Sequence, residues 1–228
     1  MNARQMKIFD IVQKKGEASV AHLAETLFVS QMTVRRDLVE LEKNGMIARY
    51  HGGATMIDSK SVVPINLRMK MGENEKKVLA KIANKHLKDD MFVYIDSSST
   101  CMYIIPYLQK YKNITVVTNS VRAVLLASKY HIPCLLAGGE YHEREMCMMG
   151  ATANRFLQEF GTDIAFLTSL GLSDDGVISD GSMAHNEIRK TVMRRTKKTI
   201  FLFGSSKLHK SFPFYLCTQE DADEVICL

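Results

Sequence analysis

The sequence lacks long apolar runs: no stretch approaches the ~20 consecutive apolar residues that a membrane-spanning helix needs. Its first segment, Met1 to Lys15, predicts an amphipathic helix and not a secretory signal peptide. The chain also lacks a large excess of one charge. Its net charge of +5 permits a nucleic-acid partner without requiring one. We therefore expect a cytoplasmic protein that has no membrane partner.

Cysteine is scarce, and the few cysteines are scattered along the chain. They occur without a Cys-x-x-Cys pair or a histidine pair at metal-ligand spacing, which predicts reduced, mostly buried thiols. We accordingly expect no metal site and no cofactor. Tryptophan is absent and 14 methionines are present, which indicates a plastic core and nothing more. The five cysteines are Cys101, Cys134, Cys147, Cys217 and Cys227.

What is present predicts a small module followed by a larger domain, for which 228 residues leave room. Residues 1–57 carry three helical patterns. Ser19 and Ser30 are placed as N-caps of the second and third helices, and Asn44-Gly45 predicts the end of the third. The segment Met46 to Gly53 then predicts a strand and a turn. Three short helices and a hairpin are typical of a winged helix-turn-helix.

The third helix predicts the DNA contacts of this module. Its apolar stripe (Val34, Leu38, Leu41) faces the module core, while Met32, Arg35, Arg36, Val39 and Lys43 fall on the opposite face. An arginine pair alone is usually a solvated surface, but this one follows two short helices and precedes a Gly-Gly hairpin. We therefore expect it to enter the major groove, where arginine pairs with guanine and glutamine with adenine.

Hydroxyls at the helix start suit phosphate, and the hairpin is placed to follow the adjacent backbone or minor groove. Asp37 is the exception, because it lies close to the apolar stripe and DNA phosphates would repel it, so we expect it to anchor the fold. The predicted DNA-binding residues are Ser30, Gln31, Met32, Thr33, Arg35, Arg36, Arg49, Tyr50 and His51.

Beyond a predicted linker at 58–74, residues 75–228 alternate apolar runs with helical patterns. This alternation predicts a doubly wound, mostly parallel α/β sheet. The predicted strands are Met91–Ile95, Ile114–Val117, Ile132–Leu136, Ile164–Leu167, Thr199–Phe203 and Val225–Leu228. The predicted helices include Val78–Leu87, Cys101–Leu108, Val121–Lys129 and His185–Arg195.

Polar loops follow the predicted strands at their carboxyl ends, where such sheets bind ligands. Hydroxyls and backbone N–H groups there suit a phosphate, glycines allow close backbone approach, and a lysine adds a positive charge. One such loop is usually only a helix cap, but five on one edge predict a pocket. The predicted effector-binding residues are Asp96, Ser97, Ser98, Ser99, Thr100, Thr118, Asn119, Ser120, Gly138, Gly139, Gly171 and Lys207.

Two motifs carry a resemblance to a known family. Thr33-Val34-Arg35-Arg36-Asp37-Leu38 followed by His51-Gly52-Gly53-Ala54 closely resembles the DeoR family of bacterial regulators. The later segments Asp96–Thr100, Val116–Ser120, Gly138-Gly139, Gly150, Asp163–Phe166, Gly171 and Ser205–Lys207 resemble the C-terminal domain of that family. Gly204 and Ser98 depart from it, because the family commonly has Asp at the first position and often Gly at the second.

The resemblance implies a C-terminal domain that shares its fold with ribose-5-phosphate isomerases and binds a phosphorylated sugar, which changes operator affinity. We therefore expect a repressor of a carbohydrate-utilisation operon, acting as a homo-oligomer on paired half-sites. Repression is implied by the resemblance alone.

Two other functions are compatible with parts of the sequence. An isomerase-like enzyme would draw acid-base groups from Asp96, Asp163, Glu140, Glu187 and His185. However, no local motif places a base beside a substrate carbon, and an enzyme has no need of the arginine face. An architectural DNA binder without a ligand would leave the polar loops unexplained. We therefore expect a regulator and not an enzyme.

Overall fold

The computed structural model describes residues 1–56 and 63–228, and the chain divides into two compact units, Met1–Met71 and Gly72–Leu228. Within these described ranges, no helix is long and apolar enough to cross a membrane. We refer to the two units as the N-terminal unit and the sensor unit.

The described part of the N-terminal unit contains four helices and a small antiparallel sheet in which β3 lies between β1 and β2. The predicted helices and hairpin are confirmed, but the three-residue strand β1 is too short to show a pattern in the sequence. Helix α4 lies within the predicted linker 58–74, of which residues 58–62 fall outside the described residues. The elements are α1 (Ala3–Lys15), β1 (Glu17–Ser19), α2 (Val20–Leu27), α3 (Gln31–Lys43), β2 (Ile47–Tyr50), β3 (Gly53–Met56) and α4 (Ile65–Lys70).

Capping and apolar burial hold this unit together. The Ser19 hydroxyl accepts a hydrogen bond from the His22 backbone at 3.1 Å, and the Ser30 hydroxyl accepts one from the Thr33 backbone at 3.2 Å. Both predicted N-caps are thus confirmed. The core side chains come from α1, α2, α3 and the hairpin segment, and each contributes about 1.5–3 kcal/mol when fully buried. They include Ile8, Phe9, Val12, Leu23, Val34, Leu38, Leu41, Met46 and Ile47.

The sensor unit is built on a six-stranded parallel sheet of order β14-β12-β9-β4-β5-β6. The predicted α/β class is confirmed. Its elements are α5 (Glu73–Ala83), β4 (Phe92–Ile95), α6 (Ile105–Leu108), β5 (Thr115–Thr118), α7 (Val121–Lys129), β6 (Cys134–Leu136), β7 (Glu140–His142), β8 (Cys147–Met149), α8 (Ala151–Glu159), β9 (Ile164–Leu167), β10 (Gly171–Leu172), β11 (Val177–Asp180), α9 (Met183–Arg195), β12 (Thr199–Phe203), β13 (Phe214–Thr218) and β14 (Glu224–Cys227).

Two features of this unit differ from the sequence expectation. A second, antiparallel sheet of order β10-β11-β13 and a hairpin of β7 and β8 were not foreseen, because these strands are short and partly polar. The predicted helix Cys101–Leu108 is also divided. Its first half, Cys101–Ile104, is a 3-10 turn, and only the single turn of α6 is α-helical.

Candidate nucleic-acid interface and ligand pocket

Helix α3 presents one apolar and one basic face, as predicted. Val34 and Leu38 are buried, whereas Arg35 and Arg36 are exposed. Neither arginine forms an ion pair with any residue that the structure describes. Met32 lies on the same outer face and is 71% exposed, which gives the helix an apolar contact beside its two guanidinium groups.

Acidic side chains near the basic face are neutralised by other elements. The carboxylate of buried Asp37 accepts a hydrogen bond from Nε of Arg4 in α1 at 2.5 Å. This contact supports its predicted role as an anchor of the fold. The Glu42 carboxylate accepts hydrogen bonds from the backbone N–H and from Nε of Arg49 in β2, at 3.0 and 2.7 Å. These hydrogen bonds lower the pKa of Glu42. The exposed surface of α3 therefore keeps a positive balance, with exposed Arg35, Arg36 and Lys43 against exposed Glu40.

The other predicted DNA contacts are divided between structural and exposed roles. Ser30 and Thr33 form the N-cap, with 2.9 Å between their hydroxyl oxygens. Tyr50 lies over Gly53, where an added Cβ would meet the Tyr50 hydroxyl at 2.4 Å. His51 and Gln31 are exposed, at the hairpin turn and at the start of α3.

In the sensor unit, the carboxyl ends of β4 and β5 bring two predicted loops together. All residues from Asp96 to Thr100 are buried, as are Thr118, Asn119 and Ser120. The Thr118 hydroxyl donates to the Ile95 carbonyl at 2.7 Å, and the Asn119 amide oxygen accepts from the Tyr94 hydroxyl at 3.0 Å. These polar side chains thus lie inside the unit at one edge of the sheet and not on its surface.

Two further hydroxyls of these loops have clear structural partners. Ser98 accepts from the Cys101 backbone at 3.2 Å, and Ser120 caps α7. The first loop leads into a 3-10 turn of four residues, so the expected N-terminal dipole of a long helix is absent there. Attraction of an anion to this loop must therefore come from side chains.

A buried charge cluster lies beside the first loop. Arg189 of α9 donates from Nη1 to Asp180 at 2.7 Å, and its Nε lies 3.5 Å from Asp96. Ser169, which follows β9, donates to the same Asp180 carboxylate at 3.1 Å. Burial opposes ionisation of Asp180, but the charge of Arg189 and these hydrogen bonds outweigh it and lower the pKa of Asp180.

Two atoms of this cluster are left without hydrogen-bond partners among the described residues: Oδ2 of Asp96 and Nε of Arg189. Buried polar atoms are usually satisfied, and an unsatisfied charged group costs free energy, so these two atoms make the cluster a candidate binding site. Sequence reasoning found Asp96 but not Arg189 or Asp180. Neither lies in a strand-end loop of the parallel sheet, so no local signal identifies them.

Lys207 lies at the same sheet edge. Its Nζ donates to the Thr168 hydroxyl at 2.9 Å and to the Ser169 carbonyl at 2.7 Å. Burial raises the pKa of Cys101 to about 12, and the charge of Lys207 acts in the opposite direction. Lys207 thus acts electrostatically on Cys101, the residue that follows the first loop.

The predicted glycines have packing reasons of their own. Gly139 has φ +149°, and an added Cβ would lie 2.4 Å from the Met149 carbonyl oxygen. At Gly171 the same atom would lie 2.4 Å from the Lys210 carbonyl oxygen. Close backbone packing thus requires both glycines, while Gly138 is exposed and meets nothing.

Gly204, which departs from the family pattern, lies against a carboxylate from another element. An added Cβ there would meet Oε2 of Glu75 in α5 at 2.7 Å, and Oε1 of Glu75 accepts from the Ser205 hydroxyl at 2.6 Å. A carboxylate is therefore present at this loop although residue 204 has none.

The acid-base candidates of the enzyme alternative are scattered. Asp163 accepts a hydrogen bond from the Phe92 backbone N–H at 2.8 Å, at the amino ends of the parallel strands. Glu140 and Glu187 are exposed. His185 pairs with Glu145. The structure therefore does not gather them into one acid-base site.

Comparison with known proteins matches both units. Residues 4–60 match the DeoR-like helix-turn-helix domain, and residues 72–227 match the DeoR C terminal sensor domain. The uncharacterized HTH-type transcriptional regulator YulB of Bacillus subtilis is 30% identical, over 98% of this chain and 87% of its own length. The glycerol-3-phosphate regulon repressor of Escherichia coli is 26% identical, over 91% of this chain and 83% of its own length.

Among solved structures, ribose 5-phosphate isomerase A of Methanocaldococcus jannaschii matches with a TM-score of 0.45 and 24% identity. The match covers 60% of this chain and 54% of the isomerase, so this chain spans about half of the isomerase's length.

Proposed function

The chain belongs to the DeoR family of DNA-binding transcriptional regulators, and we propose that it represses a carbohydrate-utilisation operon until a phosphorylated sugar binds its sensor unit. It is a regulator and not an enzyme, because its relatives over nearly the whole chain are transcriptional regulators. The resemblance to the family that the sequence predicts is thereby confirmed.

The proposed DNA contact is the exposed face of α3 in the major groove. Arg35 and Arg36 would contact base edges, with Gln31 and Met32 beside them. Ser30 and Thr33 keep the first turn of the helix in place near a phosphate, while Tyr50 and His51 lie on the hairpin. Arg49 takes a supporting role in this proposal, because Glu42 already accepts two of its donors.

The unpartnered buried atoms of Asp96 and Arg189 carry the effector proposal. The Asp96 carboxylate accepts hydrogen bonds and repels phosphate, so it suits a sugar hydroxyl as its partner. Lys207 and the hydroxyls of the first loop suit the phosphate end, since a charge-assisted hydrogen bond is roughly twice as strong as a neutral one. A ligand with a hydroxylated body and one anionic end fits both requirements.

Two further parts of the proposal rest on the family and on general physics. A repressing role is supported by the glycerol-3-phosphate regulon repressor, whose name also contains a phosphorylated polyol. A homo-oligomer is proposed because one small helix-turn-helix gives modest specificity, which paired half-sites multiply. The cytoplasm is the proposed location.

The test begins by selecting operator fragments from genomic DNA with the full chain. A panel of phosphorylated sugars is then screened by thermal shift and by release of the selected DNA. Lys207→Ala should weaken release by the active sugar phosphate while operator affinity without it stays nearly unchanged. The matched control is Lys210→Ala, because Lys210 is an exposed lysine three residues away.

A ligand shifts the DNA-binding equilibrium only by its differential affinity for the two states. If a sugar phosphate releases DNA equally well from the wild type and from Lys207→Ala, the phosphate binds elsewhere. If no sugar phosphate affects DNA binding, the effector class is wrong. If the selected fragments activate a reporter in the presence of the protein, the repressor assignment is wrong while the DNA-binding assignment stands.

A further inference from the structure

The β7–β8 hairpin is joined to the start of α9 by side chains of unlike chemistry. Glu145 lies in the turn of the hairpin, and Cys147 is the first residue of β8. His185 is in the first turn of α9, where its backbone N–H donates to the Ser182 hydroxyl. One residue separates Glu145 from Cys147, whereas His185 follows almost forty residues later, so the sequence shows no metal-ligand spacing.

These three side chains converge on one buried point. Nε2 of His185 lies 2.8 Å from Oε2 of Glu145. One oxygen of Glu145, the sulfur of Cys147 and one ring nitrogen of His185 all lie within 4.8 Å of one another. Cys147 is fully buried, and the side chains of His185 and Glu145 are 9% and 13% exposed.

Backbone hydrogen bonds fix the hairpin side of this cluster. Met148 N–H donates to the Asn119 carbonyl at 2.7 Å, and Val121 N–H donates to the Met146 carbonyl at 2.8 Å. The Asn119 side-chain amide in turn donates to the Met148 carbonyl at 2.9 Å. Because β8 is held by the loop after β5, Cys147 and Glu145 present their ligand atoms without a large entropy cost on binding.

The set of donor atoms selects a class of ion. One thiolate, one imidazole and one carboxylate match the ligands of Zn²⁺, which binds sulfur at about 2.3 Å and nitrogen or oxygen at about 2.0–2.2 Å. Hard cations such as Ca²⁺ and Mg²⁺ prefer oxygen ligands alone. Tetrahedral bonds of those lengths place neighbouring ligand atoms roughly 3.3–3.6 Å apart. The 2.8 Å between His185 and Glu145 would therefore widen, while any of the separations near the 4.8 Å limit would shorten, through side-chain shifts on the order of 1 Å.

We propose that Glu145, Cys147 and His185 form a binding site for Zn²⁺ or a similar divalent transition metal in the sensor unit. Three protein ligands leave one tetrahedral position for water or for an oxygen of a ligand. Binding releases the thiol proton of Cys147, and any proton on His185, to solvent. The site departs from the sequence expectation of no metal, and it is independent of the effector proposal.

A metal ion at this point would join two elements of the sensor unit. Glu145 and Cys147 belong to the β7–β8 hairpin, whereas His185 belongs to α9, the helix that also carries Arg189. A bound metal would therefore fix the start of α9 against the hairpin.

The test uses the full chain, stripped of metal by a chelator and then dialysed against Zn²⁺. Metal analysis should give roughly one tightly bound ion per chain, as for a structural site. Co²⁺ is the second probe, because a cysteine ligand produces an intense sulfur-to-cobalt charge-transfer absorption that a site without sulfur lacks. Lowering the pH should release the ion, because the ligands must be deprotonated to bind.

Cys147→Ser, His185→Gln and Glu145→Gln should each lower Zn²⁺ affinity by more than roughly 10-fold, the lower end of the effect of outer-sphere substitutions. Cys217→Ser is the matched control, because Cys217 is buried in the second sheet away from the cluster. Circular dichroism of each apo variant checks folding, and Glu145→Gln is the mildest of the three.

Retention of zinc by Cys147→Ser with wild-type affinity would overturn the proposal, as would a cobalt spectrum without the sulfur band. Failure of the stripped wild type to bind either ion would also overturn it. In that event the His185–Glu145 pair is an ordinary buried ion pair.

Discussion

The two functional regions use polar residues in opposite ways. On α3, the basic side chains are exposed and the apolar stripe is buried, so Arg35 and Arg36 reach a partner without rearrangement. At the sheet edge of the sensor unit, the polar groups themselves are buried, with Asp96 at 1% exposure and Arg189 at 5%. A large, charged polymer is read from the surface, whereas a small ligand must be enclosed to be distinguished from water.

The opposite placement has an energetic consequence. Exposed arginines cost the fold of the N-terminal unit almost nothing, since they remain hydrated. Taking Arg189, Asp96 and Asp180 out of water is costly, and a buried ion cluster of this kind is weak evidence for stability. Oδ2 of Asp96 and Nε of Arg189 have no hydrogen-bond partner among the described residues, which agrees with the proposed role of this cluster in binding an effector.

The largest expected effect comes from removing the central charge of that cluster. Arg189→Met should destabilise the sensor unit by about 3–5 kcal/mol, because it leaves two buried carboxylates without a cation. Hydrogen exchange of amides in β4 and β12 measures the change separately from the N-terminal unit. Arg194→Met, at an exposed position of the same helix, is the control and should change little.

A second substitution should recover part of the stability that Arg189→Met loses. Adding Asp180→Asn to Arg189→Met should restore some of the lost stability, since one uncompensated charge is removed. An Arg189→Met protein as stable as wild type would show that Asp96 and Asp180 are protonated or hydrated, which removes the contrast with α3.

A smaller loss is expected at the one buried carboxylate of α3. Asp37→Ala should destabilise the N-terminal unit by about 1.5–3 kcal/mol, the range for hydrogen bonds to charged groups. The loss is smaller than at Arg189 because the partner, Arg4, is 33% exposed and becomes hydrated. Hydrogen exchange in α1 and α3 measures it, with exposed Glu40→Ala as the control on the same helix. A larger loss for Asp37→Ala than for Arg189→Met would reverse the comparison.

On the exposed face, effects on binding should exceed effects on stability. Arg35→Ala or Arg36→Ala should weaken operator binding by about 1–3 kcal/mol if the side chain reads a base, while circular dichroism and melting barely change. Lys14→Ala, at an exposed position of α1, is the control. If both arginine variants bind the operator with wild-type affinity, the proposal that α3 lies in the major groove is wrong.

Salt should affect that binding strongly. Lysine and arginine contacts to phosphate release counterions, so log K should fall linearly with log salt concentration. Fluorescence anisotropy with labelled operator DNA measures the slope, and a flat response would contradict the proposed DNA contact.

The same contrast explains what could be predicted from the sequence. The helices, caps and outer face of the N-terminal unit follow from local periodicity, because each stripe needs only its own helix to define inside and outside. The parallel strands were found from their apolar runs. Arg189 and Asp180 were not found, because they join the first loop only when α9 and the second sheet pack over the edge. The partner of Gly204, Glu75, was missed for the same reason, since it lies about 130 residues away in the chain.

The smallest expected effect is on the pH dependence of stability. The opening free energy should fall more steeply with falling pH in the sensor unit than in the N-terminal unit. In the sensor unit, Asp180 has a lowered pKa, and so do Asp163 and Glu224, which accept charge-assisted hydrogen bonds from lysines although burial acts against them. A lowered pKa stabilises the folded state above the ordinary carboxyl pKa, and this contribution is lost as the pH falls through the folded-state value. In the N-terminal unit, burial raises the pKa of Asp10. Its contribution to the pH dependence of stability therefore has the opposite sign, and it offsets the contribution of Glu42, whose pKa is lowered.

Lowering the pH below about 4, the ordinary aspartate pKa, should therefore reduce the opening free energy of β12 and α9 more steeply than that of α2 and α3. Hydrogen exchange of the full chain at a series of pH values measures both slopes in one sample. Asp180→Asn should flatten the sensor slope, because its amide does not titrate, and leave the N-terminal slope unchanged. Equal slopes in the wild type would mean that the buried carboxylates are no more engaged than the exposed ones, and the two regions would then differ in placement alone.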